Sequence, residues 1–138
     1  MAKMDLAEKG AIGQASYDAF NRRDIDALLA LYDRECEWDF SNFSGWPERQ
    51  TYRGHKGLVE FFHVWLDPWD DFQLEITEVR DLPGDRAFAV GRGKGRGRAS
   101  GVPVELPPIG QIVEYRDGRI LRIVNYSDVD EARRAAGI

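Results

Sequence analysis

Two ionisable side chains are of types that transfer protons near neutral pH. His55 stands in the turn-forming stretch Gly54–Gly57, and a histidine there titrates close enough to neutrality to act as an acid or a base. Asp39 lies in the alternating stretch Cys36–Phe40, where a bulge that turned it inward would make it a general base. Each has a plainer alternative: His55 helps to cap the following helix, and Asp39, directed outward by strict alternation, is a solvated carboxylate. Both are candidate catalytic residues.

Two amide side chains are candidates for holding a ligand. Asn125 shares a strand face with Ile123, and an amide on an inward face must form hydrogen bonds. Its partner is either a ligand carbonyl or hydroxyl, or a neighbouring backbone group. Gln111 shares a strand face with Val113 and Tyr115, and this face is a candidate for the inward one. The opposite face, with Gly110, Ile112 and Glu114, is nearly as plausible. Both amides are therefore predicted as pocket residues, with the parity of Gln111 left open.

The stretch Gly91–Arg98 alternates glycine with Arg or Lys, so a strand there carries cations on one face and glycines on the other. Arg92 shares its parity with the apolar Phe88 and Val90. If that face is the inward one, Arg92 lines a pocket suited to an anionic ligand such as a carboxylate. If a glycine-associated bulge reverses the parity, the cations face solvent, a partner subunit or acidic residues of a neighbouring strand. The second arrangement is the commoner one for charged strand residues.

Four helices are predicted from apolar spacing and from capping residues. Apolar side chains recur at intervals of three and four on one face of each segment, and the helix limits follow from N-caps, a C-terminal glycine and a proline. The predicted helices run from about Asp5 to Arg23, from the N-cap Asp24, from Gly54 to just before Pro68, and from a capping box of Asp128 and Glu131 to Gly137.

The remaining segments read as strands. The first is a short strand, Cys36–Phe40. An aromatic loop, Ser41–Arg53, connects it to the third helix and is a candidate lid. Four more strands fit between that helix and Ser127. This order predicts an α+β fold in which a curved mixed or antiparallel sheet forms a cone around the three N-terminal helices, with a short C-terminal helix at the end. Trp38 and Phe40, together with Trp65 of the third helix, are predicted to line the cone.

Composition limits the classes of protein that this chain can represent. It has 138 residues and a formal net charge of −5, which suits a single domain spanning 1–138 and argues against general nucleic-acid binding. An acidic N-terminus without a signal region, and the lack of a membrane-length apolar run, predict a soluble cytoplasmic protein with no membrane partner. The single Cys36 and two histidines predict neither a disulfide nor a metal site, and no cofactor is expected.

Five stretches spread over the chain carry a family resemblance: Tyr17–Leu28, Tyr52–Leu58, Ser100–Val102, Tyr115–Ile120 and Tyr126–Gly137. They resemble the SnoaL-like domains of the nuclear-transport-factor-two-like fold, which are related to ketosteroid isomerases and polyketide cyclases. The resemblance implies a conical pocket between the helices and the concave face of the sheet. It also implies a homodimer that packs sheet against sheet.

The same resemblance argues against one particular reaction. In the ketosteroid isomerases a tyrosine and a protonated aspartate form an oxyanion hole, and a second aspartate moves the proton. The corresponding positions here are Ser16, Gly110 and Phe40, none of which has the required side chain. Tyr17 and Asp39 each lie one residue away from the tyrosine and base positions, so a bulge or an altered register would bring them into place. Ketosteroid isomerisation itself is therefore not expected.

Residues and resemblance together predict binding of a small hydrophobic molecule in the cone. As an enzyme, the protein would be an isomerase, cyclase or dehydratase acting without a cofactor on a polyketide-, terpenoid- or steroid-like substrate. His55 or Asp39 would then transfer the proton, and Tyr17 and Asn125 would hold a carbonyl. The alternative is a non-catalytic ligand-binding or dimerisation module.

Overall fold

The computed structural model describes residues 4–44 and 51–138. Its helices are α1 (Leu6–Asn21), α2 (Ile25–Ala30), α3 (Gly54–Leu66) and α4 (Val129–Ala136). Its strands are β1 (Tyr32–Asn42), β2 (Thr51–Arg53), β3 (Trp69–Leu82), β4 (Arg86–Gly97), β5 (Pro103–Glu105), β6 (Ile109–Arg116) and β7 (Arg119–Tyr126). The centre of the loop predicted at Ser41–Arg53 lies outside the described residues, and so does the prediction of a lid there.

Side-chain caps fix where three of the helices begin. The carboxylates of Asp5, Asp24 and Asp128 each accept a hydrogen bond from a backbone N–H in the first turn of the helix that follows. These bonds satisfy donors that have no partner inside the helix. Gly137 ends α4 with a φ of 77°, a left-handed conformation that glycine adopts without strain. The predicted helix positions are confirmed to within about two residues.

The strands form one mixed sheet that curls without closing. The order along the sheet is β2-β1-β7-β6-β4-β3, and β5 pairs with β4 beyond the end of β6. β1 and β7 run parallel, while the other pairs are antiparallel. The prediction of four strands after α3 is wrong, because the three-residue β5 makes five. β1 is also longer than predicted and begins at Tyr32.

The two faces of the sheet carry different layers. The helices α1, α2 and α3 lie against the concave face, and the main core there includes Phe20, Leu58 and Phe72. The helix α4 packs instead on the convex face, where Ala132 and Phe88 belong to a second, smaller core. The prediction of a cone around three N-terminal helices, followed by a short C-terminal helix, is confirmed. This second layer also explains why Phe88 and Val90 are buried although they do not face the cone.

Two side chains at the end of α1 form hydrogen bonds with the backbone at the free edge of β3. Asn21 donates from Nδ2 to the carbonyl of Leu74 and accepts from the Leu74 N–H, both at 2.8 Å. Arg23 donates to the carbonyl of Phe72 at 2.7 Å. These bonds replace part of the ladder that a further strand would provide and leave the edge less available for pairing with another chain. They also fix the distance between α1 and the sheet, and with it the width of the cone.

Candidate functional site

The interior of the cone contains a cavity between the helices and the concave face of the sheet. Its volume is about 70 Å³, which corresponds to about five water molecules. Most of its lining is apolar, and the polar groups lie in a few places. The predicted pocket residues that line it are Trp38, Phe40, Trp65, Gln111 and Asn125, with Tyr17 from α1.

One wall of the cavity is aromatic. Phe61 of α3 lies at its centre, with ring centroids 4.7 Å from Trp38, 5.0 Å from Phe40 and 5.9 Å from Trp65. Offset and tilted ring pairs at these distances are favourable beyond the area that they bury. The cluster combines two neighbouring inward positions of β1 with one stripe of α3, as the alternation and the helical spacing predict. The result is a flat apolar surface against which a ring can pack.

The polar part of the lining is a chain of hydrogen bonds from α1 across β6 and β7. The Tyr17 hydroxyl donates to Oε1 of Gln111 at 3.2 Å, and Nε2 of Gln111 donates to Oδ1 of Asn125 at 2.9 Å. The Asn125 amide nitrogen then donates to the backbone carbonyl of Asp39 at 3.4 Å. Gln111 and Asn125 are directly paired across β6 and β7, so they share one face of the sheet. Both line the cavity, so this face is the inward one. The parity of Gln111, which the sequence leaves open, is inward.

Trp38 also carries a buried hydrogen-bond donor. Its indole nitrogen is buried, and no described residue accepts a hydrogen bond from it. A buried donor without a partner costs free energy.

The phenols of the lining are neutral over the physiological pH range. Burial raises the pKa of Tyr17 well above its usual value. Burial likewise raises the pKa of Tyr32, although a hydrogen bond with Ser16 opposes part of the shift. Burial raises the pKa of Tyr115 to about 12. These hydroxyls therefore act as uncharged donors and acceptors and not as bases.

Lys9 is a buried cation at the cavity that the sequence did not reveal. Its ammonium donates to Asp81 at 2.7 Å and to the backbone carbonyls of Gly84 and Arg86 at 3.0 and 2.8 Å. Its side chain is 1% exposed. A single lysine on a polar helix carries no sequence signal of burial, because the carbonyls that hold it belong to the distant β3–β4 turn. The ammonium is occupied by these partners and serves to join α1 to that turn.

Asp39 does not face the cavity. Its carboxylate lies on the convex side, where Oδ2 accepts from Arg122 at 3.0 Å and Oδ1 accepts from the Ser41 N–H at 2.8 Å. Burial raises its pKa, but the bonds from Ser41 and Arg122 outweigh that effect and hold the pKa below its usual value. The structure therefore corrects the placement of Asp39 as an inward base. β1 alternates regularly through Trp38, Asp39 and Phe40, and no bulge turns the carboxylate inward.

His55 also lies outside the lining of the cavity. It stands in the first turn of α3, where its Nε2 is 2.9 Å from the carbonyl oxygen of Tyr32. Because a carbonyl only accepts, Nε2 carries the proton in this contact. The arrangement ties the start of α3 to the start of β1 and corrects the placement of His55 among the groups that face the ligand.

Arg92 is exposed and is not part of the lining, which corrects its prediction as a pocket residue. The glycines of β4 face the cone instead. A Cβ on Gly93 would lie 2.6 Å from the Phe72 ring, and one on Gly91 would overlap the Tyr17 hydroxyl. The register places Arg92 opposite Glu75 of β3, so a cation and an anion are neighbours on the outer face.

Several lining residues of α1 and β3 are partly exposed, so the packing between these two elements leaves a gap. Two helical glycines border this gap, and an added Cβ would meet no atom within 4 Å at Gly10 and only Ile76 at 3.7 Å at Gly13. Glycine lowers the stability of a helix interior relative to alanine, so these two positions leave space at some cost to α1. The partly exposed lining residues that border the gap are Gly10, Gly13, Tyr17, Leu74, Ile76 and Val79.

Residues 4–44 and 51–138 contain neither a metal-binding cluster nor a helix that could span a membrane. No group of three or more His, Cys, Asp or Glu side chains there is arranged to hold a metal ion. None of the helices in that part of the chain is both long and apolar enough to cross a membrane.

The fold and the cavity together define a protein of the nuclear-transport-factor-two-like class, in which a curled sheet and its helices enclose a conical pocket. The family model of the SnoaL-like domain matches residues 14–123, and the chain belongs to that family. A comparison with curated proteins found no match.

Solved structures with the same fold cover almost the whole chain. TerC, crystallised with polyporic acid, is 22% identical with a TM-score of 0.75, over 95% of this chain and 99% of its own. A nuclear-transport-factor-two-like protein of unknown function from Burkholderia pseudomallei is 20% identical with a TM-score of 0.74, over 98% and 100%. A putative polyketide cyclase from Xanthomonas campestris is 23% identical with a TM-score of 0.70, over 91% and 94%. At these identities the likeness shows the fold alone.

Proposed function

We propose that the protein binds a small, neutral, largely aromatic molecule in its cone. The observation that carries this proposal is a cavity of about 70 Å³ with an aromatic wall and a single line of polar groups. Ligand sites combine these features, because apolar walls supply affinity and a few placed polar groups supply orientation.

Binding is favoured over proton-transfer catalysis by the chemistry of the lining. Among the described residues that line the cavity there is no carboxylate and no histidine. The Lys9 ammonium is held by Asp81 and by backbone carbonyls, and the pKa of Tyr17 is raised far above neutrality by burial. General acid–base catalysis works best with a group whose pKa lies near the working pH, and the Tyr17 phenol does not meet that condition.

Two of the fold relatives support the chemical class of the ligand. TerC was crystallised with polyporic acid, and the Xanthomonas campestris protein is described as a putative polyketide cyclase. We extend to this chain only the general idea of an organic ligand in the cone. The cavity of about 70 Å³ is smaller than the roughly 150 Å³ that holds a benzene ring, so an aromatic ligand would extend beyond the enclosed volume or displace lining side chains.

The test is a calorimetric titration of the protein with p-cresol, which combines one aromatic ring with one hydroxyl. Binding at one site per chain supports the proposal. Ala89→Leu fills the concave face with a larger side chain and is expected to abolish binding, because Ala89 lines the cavity. Ala99→Leu makes the same change at an exposed turn and should bind like the wild type. Equal binding by both variants would show that the site is not the cone.

Native mass spectrometry of the protein as purified provides an independent check. A non-covalent mass of a small organic molecule would support the proposal and identify the class of ligand. The same spectrum gives the subunit number and so tests the homodimer that the family resemblance predicts. A dimer that binds no ligand in either experiment would favour the alternative, a dimerisation module.

A further inference from the structure

The hydrogen bonds between Tyr17, Gln111, Asn125 and Asp39 run in one fixed direction. The last member, the backbone carbonyl of Asp39, only accepts, so the Asn125 group beside it at 3.4 Å must be the NH₂. The Asn125 oxygen then faces Gln111 at 2.9 Å and requires the Gln111 NH₂. The Gln111 oxygen in turn faces Tyr17 at 3.2 Å. The Tyr17 hydroxyl must therefore donate its one proton to Gln111.

This direction decides what Tyr17 offers to a ligand. A phenol has one proton and can accept as well as donate, and here the proton is already committed. No described residue donates to the Tyr17 oxygen. Gly91 leaves the hydroxyl room beside β4, and Tyr17 lines the cavity. Among the described residues, therefore, the Tyr17 oxygen accepts no hydrogen bond and keeps its capacity to accept one.

We infer that Tyr17 selects ligands by accepting a hydrogen bond, so the molecule that binds in the cone carries a hydroxyl donor on its aromatic ring. This inference rests on the proposed function and deepens it from an aromatic ligand to a phenolic one. It also reverses the role expected from the resemblance, in which a tyrosine near this position donates to an oxyanion. A ligand carbonyl oxygen would instead face the Tyr17 oxygen, and contact between two acceptors without a proton between them is unfavourable.

Two probes of nearly equal shape separate donor recognition from ring packing. p-Cresol has a hydroxyl where 4-fluorotoluene has a fluorine, so the second probe keeps the ring and loses the donor. We expect the wild type to bind p-cresol about fivefold more tightly, which corresponds to one neutral hydrogen bond. Equal dissociation constants for the two probes would overturn the inference while leaving the proposed function intact. If neither probe binds, the proposed function itself fails.

A change in Gln111 tests the direction of the chain. Gln111→Met has nearly the same shape but no acceptor, so it releases the Tyr17 proton to donate to a ligand. We expect this variant to bind 4-methylbenzaldehyde, an acceptor without a donor, about fivefold more tightly than the wild type does. No gain for the aldehyde would contradict the inference.

Tyr17→Phe provides the second variant, in case Gln111→Met does not fold. It removes the acceptor and keeps the ring, so the preference for p-cresol over 4-fluorotoluene should shrink. An undiminished preference would show that the donor is recognised elsewhere. Circular dichroism of each variant confirms that the comparison is made between folded proteins.

Discussion

The hydroxyl of Tyr17 occupies the space beside Gly91 that the Cβ of any other residue would fill. Gly91 belongs to β4 and Tyr17 to α1, so this contact joins the sheet to the first helix at the edge of the cavity. Glycine is required there by the close approach of the hydroxyl and not by the backbone conformation. The repeated glycines of β4 serve the same purpose at Gly93 and Gly95, where the ring of Phe72 packs on the bare backbone.

Gly91→Ala is therefore expected to destabilise the protein by about 1–3 kcal/mol, because the new methyl group must displace the Tyr17 hydroxyl. Urea unfolding measures the change. Gly10→Ala is the matched control, since an added Cβ there would meet no atom within 4 Å. That variant should gain up to about 1 kcal/mol from the higher helix propensity of alanine. A Gly91→Ala protein as stable as the wild type would contradict the placement of Tyr17.

The sequence was sufficient to predict most of the architecture and several members of the site. Trp38, Phe40 and Trp65 were predicted to line the cone because alternation in a strand and the stripe of a helix are local properties. The caps at Asp24 and Asp128 follow from the sequence for the same reason. Local patterns fix which side chains share a face.

What local patterns do not fix is which face of a strand is inside. Phe88 and Val90 suggested that the face shared with Arg92 is the inward one, but their burial comes from α4 on the convex side. The burial of Lys9 was also missed, because its partners lie about 72 to 77 residues away in the chain. Such contacts depend on tertiary packing and leave no trace in local spacing.

Asp39→Asn tests the assignment of Asp39 to the outer face. The folded protein holds the pKa of this carboxyl below its usual value, so the folded state binds fewer protons than the unfolded state in acid. The resulting stabilisation is complete above the unfolded pKa of about 4 and is lost as the pH falls through the folded pKa. When the pH falls from about 6 to about 3, the wild type should therefore lose more stability than Asp39→Asn does.

Urea unfolding at several pH values measures this difference, which is expected to be about 1 kcal/mol because the partner Arg122 is 41% exposed. Asp117→Asn, at an exposed turn, makes the same change in net charge and serves as the control. Binding of p-cresol should be unaffected by Asp39→Asn. A loss of binding without a loss of stability would contradict this assignment and indicate that Asp39 contacts the ligand.

Cys36 offers a test of how well the core is closed. It is 1% exposed, and burial raises the pKa of its thiol to about 11. Because the thiolate is the reactive form, Ellman's reagent is expected to react very slowly with the folded protein at about pH 8. The same reagent in concentrated urea should react at once. Rapid and complete reaction without urea would mean that the start of β1 opens readily.

Lys9→Met tests whether the buried ammonium stabilises the fold. The substitution leaves the carbonyls of Gly84 and Arg86 without their donor and Asp81 without its partner, so we expect a loss of about 2–4 kcal/mol in urea unfolding. Asp81→Asn is the control, because it removes the charge pair and keeps the bonds to the carbonyls. The Asp81 side chain is 53% exposed, and the control should lose less than about 1 kcal/mol. Equal losses in the two variants would mean that the charge pair, and not the set of carbonyls, holds α1 to the β3–β4 turn.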